Sequence, residues 1–112
     1  MARPRTRYEW EVPRDVVSIV RGICADYERR EMAIRHSTIT GRVLSRYIEL
    51  NRAVELSLGD IEVGVRLLIL DDVAAGRGYA FSPCSAFYSK NTFYERKKKL
   101  VFDIAKELSL IP

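Results

Sequence analysis

The sequence predicts an all-α fold, a small helical bundle of four to five helices ending in a helix-turn-helix. Three observations predict it. Apolar residues recur at the three- and four-residue spacing of a helix face through most of the chain. Serine, threonine, proline and glycine punctuate that pattern where helices start and stop. The one stretch that also reads as a buried strand, Val65-Arg66-Leu67-Leu68-Ile69-Leu70, has no second strand candidate beside it. An isolated strand leaves its backbone donors unpaired, so we assign this stretch to a helix.

Residues 1–12 read as an N-terminal arm carrying Arg3, Arg5 and Arg7, closed by Trp10 and Pro13. Two readings stand for it: a terminus pinned by Trp10, or an arm that touches a DNA backbone. Residues 13–112 form a single helical domain. Pro13 suits a first helical turn, and Asp15 favours the positive end of the helix dipole. Val16, Val17, Val20, Ile23, Cys24 and Tyr27 then line one face of a first helix running to about Arg35, with Glu28-Arg29-Arg30-Glu31 as a solvated charged face.

A break at Ser37–Gly41 leads to a second helix from about Thr40 to Leu56. Val43, Tyr47, Leu50 and Val54 make its stripe, and Gly59 is placed to end it in a left-handed conformation. Asp60 is the expected cap of a third helix, Ile61 to Ala75, apolar enough to be the central one. Ser82 and Pro83 open a short helix to Phe87, and Ser89 opens the last, 89–109. The helix-turn-helix then spans about 61–110.

Charge points to a partner. The formal net charge is +4. Residues 77–112 hold seven cations and three carboxylates, which accounts for all of it, while residues 1–76 hold twelve of each. A neutral body with a basic end fits a polyanion met at one place.

Other classes find less support. Cys24 and Cys84 form no C-x-x-C pair and His36 is the only histidine, which argues against zinc. The opening MARPRTRYEWEV has no apolar core of a secretory signal, and no apolar run approaches the ~20 residues of a membrane span. We read a cytoplasmic chain with reduced thiols and no cofactor. It is read as no enzyme: His36 beside Ser37 is not a catalytic arrangement, which is assembled in space. The adjacent Asp71 and Asp72 diverge by about 100° on a helix, so capping or pairing with an arginine is the better role than a metal site.

The last helix carries the chemistry. In a helix-turn-helix the second helix enters the major groove with its N-terminal residues at base edges. Ser89 caps it, and Lys90, Asn91, Thr92 and Tyr94 occupy its first turns with Glu95. Asparagine bonds adenine through two hydrogen bonds, and threonine or tyrosine reaches a thymine methyl or a phosphate. Arg96, Lys97, Lys98 and Lys99 cover more than one turn, so two or three of them reach phosphates and the others are solvated or pair with Glu95 and Asp103. Phe93, Leu100, Ile104 and Leu108 share one face and anchor the helix.

The run from Tyr88 to Leu100, followed by Ile104-Ala105-Lys106-Glu107-Leu108, resembles the C-terminal part of phage-encoded late-gene transcription regulators of the ArpU and RinA type. The shared pattern is a serine opening the helix, a threonine–aromatic pair, a basic cluster and an apolar tail. The resemblance covers about 35 residues, roughly from Val65 on. It implies a helix-turn-helix similar to sigma factor region 4, with Ser89, Lys90, Thr92, Tyr94, Arg96 and Lys97 facing DNA. The expected partners are double-stranded DNA and a second copy of the chain, because one short helix reads few base pairs. The first two helices are the candidate contact for that copy or for RNA polymerase. The alternative is a phage structural or adaptor protein using the aromatics Tyr79, Phe81, Phe87, Tyr88, Phe93 and Tyr94 as an interface.

Overall fold

Five helices follow one another along residues 10–112, which the computed structural model describes, with no strand among those residues. They are α1 (Arg14–Ala25), α2 (Tyr27–Arg35), α3 (Gly41–Leu58), α4 (Arg66–Ala75) and α5 (Lys90–Glu107). The arginines of the expected arm, Arg3, Arg5 and Arg7, lie outside the described residues. Trp10 is buried and Val12 packs on the core.

The core forms where α1, α4 and α5 meet one another and the C-terminal half of α3. Val20, Val54, Ile69, Phe93 and Ile104 have no exposed surface. Cys24 sits there as a small apolar group, and burial pushes its thiol up to about 12. The α3 stripe divides along its length. Val54 is buried, whereas Val43, near the start, is 48% exposed because only α2 packs beside that half.

The single first helix expected to run to Arg35 is broken at Asp26. Arg30 causes the break. It belongs to the charge run read as solvated, yet only 3% of it is exposed. Its guanidinium donates to the Ile23 carbonyl, the acceptor that a continuing helix would offer to Tyr27, and to Asn51 Oδ1 at 2.6 Å. Asn51 in turn donates to the Tyr27 carbonyl and to Glu31. This network fastens α2 to α3.

Three helices end alike. Ser37, Gly76 and Ser109 are left-handed, at φ 54°, 66° and 57°. The residue after each donates to the carbonyl five positions back: Thr38 to Ala33, Arg77 to Asp72, Leu110 to Ala105. Gly59, expected to be left-handed, has φ −59°. The Arg66 guanidinium donates to the Gly59 and Ile61 carbonyls, so this end needs no left-handed residue. Asp60 does not cap α4, which starts five residues beyond Ile61 after a turn of 3-10 helix at Val63–Val65. Its carboxylate goes to Lys99 instead.

The short helix expected over Pro83–Phe87 is one 3-10 turn, Pro83–Ala86, preceded by another at Tyr79–Phe81. Ser82 Oγ accepts from the Cys84 N–H at 2.9 Å, Pro83 has no N–H to give, and Ser85 N–H returns to the Ser82 carbonyl. One α-type bond follows, from the Tyr88 N–H to the Cys84 carbonyl at 3.0 Å, before Ser89 caps α5. The α-helix before α5 is therefore α4, with residues 76–89 between them.

Candidate nucleic-acid interface

α5 is held from inside by its apolar face and at its start by a cap. Ser89 Oγ accepts from the Thr92 N–H at 3.3 Å. Phe93 is enclosed by Tyr79 and Tyr94, with ring centroids 5.5 and 5.0 Å away. Leu100 and Ile104 continue the buried face, as their spacing predicts, and Leu108 is half-buried.

The lead-in to α5 is fixed by polar bonds. Asp72 has no exposed surface. Its carboxylate accepts from Ser82 Oγ and from Arg77 Nη1 at 2.6 Å, and Asp71 takes the same guanidinium at 2.9 Å. Arginine pairing is thus the role of the acidic pair. The Tyr79 hydroxyl donates to the Tyr88 carbonyl at 2.7 Å, and the Tyr79 N–H donates to the Tyr94 hydroxyl at 3.1 Å.

The expected site residues fall into two groups. Ser89, Lys90 and Asn91 are exposed at the start of α5, and Tyr94 is 41% exposed one turn on. Thr92 is half-buried and accepts from the Ser89 hydroxyl at 3.0 Å. Lys90 and Asn91 have no hydrogen-bond partner among the described residues.

The basic run forms the second group, and each of its cations has an acceptor within the protein. Arg96 reaches Glu62 at 3.3 Å and lies over the Tyr88 ring. Lys98 reaches Glu11 at 2.5 Å, and Lys99 sits between Asp60 at 2.7 Å and Asp103 at 2.6 Å. Lys97 donates to the Arg77 carbonyl at 2.7 Å, with its ammonium 5.2 Å from the centre of the Phe93 ring. Burial lowers its pKa below the ordinary lysine value. The Lys99 bond holds the Asp60 carboxyl below its ordinary value. Of the expected pairings, Lys99–Asp103 is present; Glu62, Asp60 and Glu11 were not foreseen. A phosphate contact from Arg96, Lys98 or Lys99 has to open one of these pairs. One from Lys97 uncovers a carbonyl.

Sequence reasoning passed over Arg21. Among the described residues it has no ion pair or hydrogen bond, and its guanidinium lies against the end of α4, 2.5 Å from where a Cβ on Gly76 would stand. The available signal was its spacing: Arg14 precedes it by seven residues, on the same stripe of α1.

Comparison with known proteins returns no matching family model, no matching curated protein and no matching solved structure. Among the described residues no helix is long and apolar enough to cross a membrane, and no cluster of three or more candidate metal ligands forms.

Proposed function

We propose that the chain is a non-catalytic DNA-binding transcriptional regulator of phage or prophage genes, reading duplex DNA through the start of α5. One observation carries this reading. Lys90 and Asn91 stand exposed, and without a partner among the described residues, on the first turn of a helix that is capped by Ser89 and locked from behind by Phe93. Such a turn combines a base-reading amide, a cation and the positive end of a helix dipole. Ser89, Thr92 and Tyr94 flank it. Arg96, Lys97 and Lys98 set the field behind it, with the Arg96 and Lys98 ion pairs and the Lys97 bond to the Arg77 carbonyl intact. The reading includes a homodimer, with α2 and α3 as its contact or as a contact for RNA polymerase.

Selection of bound sequences from a random duplex pool tests it. The wild-type chain is expected to enrich a defined site at physiological salt. Asn91→Ala is expected to relax the preference at one base pair, by about 1–3 kcal/mol of discrimination. A wild-type chain that enriches nothing overturns the reading.

A second reading, a phage structural or adaptor protein, has its own observation. Val63, Leu67, Phe81 and Phe87 are 78, 71, 83 and 63% exposed, all between α3 and α5. Large exposed apolar side chains mark protein contacts when they are contiguous. Salt separates the readings: DNA affinity falls steeply with salt, and an apolar contact barely responds.

A further inference from the structure

A groove of about 810 Å³ runs between α1 and the first half of α5. Its walls carry Arg21 from α1 and Asn91, Tyr94, Lys97 and Lys98 from α5, and Trp10 forms part of one side. Trp10 is 9% exposed, yet its indole N–H finds no acceptor among the described residues. A buried donor left unpaired is costly, so an acceptor supplied from outside is favoured there. Arg21 brings up to five further N–H donors with no carboxylate partner among the described residues.

Two carboxylates share the walls. Glu11 is neutralised by Lys98, and Glu95 is exposed, free to turn to solvent. Lys97 and Lys98 are already engaged, so the donors still open in the groove are those of Arg21, Trp10 and Asn91, and Glu95 is its one carboxylate without a cation among the described residues.

We propose that this groove seats a backbone phosphate of the DNA duplex, held by the Arg21 guanidinium and, once the ring turns its buried edge to the groove, by the Trp10 indole N–H, beside the base-reading turn at Lys90 and Asn91. The proposal rests on the DNA reading above and adds a second helix to the interface. Asn91 lies on both the groove and the reading turn, so a strand passing one meets the other. Arg14, exposed and seven residues before Arg21 on α1, extends the track by roughly 10 Å.

Trp10 is the sole tryptophan, so its emission reports on the groove. Titrating the full chain with a random-sequence duplex is expected to change that emission in step with binding followed by anisotropy of labelled DNA. Arg21→Gln, with helicity checked by circular dichroism, is expected to lose the emission change. It should bind duplex about tenfold more weakly whatever the sequence, with a salt slope shallower by about one. Trp10→Phe keeps an aromatic wall, removes only the donor and is expected to weaken binding in the same sequence-independent way. Lys106→Gln, an exposed cation at the far end of α5, serves as the control that changes neither.

Duplex binding that leaves Trp10 emission unchanged, and that Arg21→Gln and Trp10→Phe do not weaken, overturns the groove while the α5 reading stands. A wild-type chain that binds no duplex overturns both. Emission that responds to inorganic phosphate and not to duplex assigns the groove to a free phosphate and overturns the DNA proposal.

Discussion

At Asp72 a carboxylate with no exposed surface ties the lead-in of α5 to the end of α4. Its partner Ser82 is 4% exposed and also holds the Cys84 N–H, so both bonds run through one buried hydroxyl. Asp72→Asn keeps the volume and removes the charge that draws in Arg77 and Ser82. We expect it to lower the unfolding free energy by about 1–3 kcal/mol, the usual effect of leaving a buried polar group poorly paired. Urea denaturation measures this. A midpoint equal to the wild type's would mean that the network contributes nothing to the fold. Only part of this was legible beforehand. An arginine partner for the Asp71–Asp72 pair follows from the chemistry of neighbouring carboxylates, but which aspartate faces inward depends on the rotation of α4. Arg30 teaches the same lesson from the other sign. In a Glu-Arg-Arg-Glu run nothing local distinguishes the buried arginine from its solvated neighbour, because Asn51 lies 21 residues away.

Whole elements were more legible where periodicity decides them. The α5 face of Phe93, Leu100 and Ile104 is buried as its spacing demands, and the Ser89 cap is present. The lead-in was misread because a serine–proline start predicts where a helix begins and not how far it runs; Pro83–Ala86 closes after one tight turn. The end of α4 offers a test that joins fold to site. Gly76 is left-handed, and an added Cβ would meet the Arg21 guanidinium at 2.5 Å. Gly76→Ala is expected to destabilise the chain by about 1–2 kcal/mol through the left-handed backbone alone. It should also push Arg21 off the end of α4, so duplex affinity should fall together with the unfolding midpoint. Affinity that stays unchanged while stability falls would separate Arg21 from the binding surface.

Over the whole molecule the basic end is less free than its formal charge implies. Three of the four consecutive cations on α5 are matched by carboxylates from elsewhere in the chain: Glu11, Asp60 and Glu62. These partners lie 34 to 87 residues away, so a charge count along the chain registers the run and misses its neutralisation. Pairs at this exposure are worth under about 1 kcal/mol each, so a phosphate can compete for the cations, but it has to compete. The dependence of affinity on salt reads out the result, since each phosphate neutralised contributes about 0.9 to the slope. If the pairs hold, Lys90 and Arg21 are the cations left near the proposed reading turn, and the slope is expected near −2 per protomer. Removing the competitors in Glu11→Gln, Asp60→Asn and Glu62→Gln together should then free Lys98 and Arg96 and loosen Lys99, which keeps Asp103. The triple variant is expected to bind duplex more tightly, with a slope steeper by about two. If the run faces away from the DNA, the freed cations meet solvent instead, and the slope of the variant stays at the wild-type value.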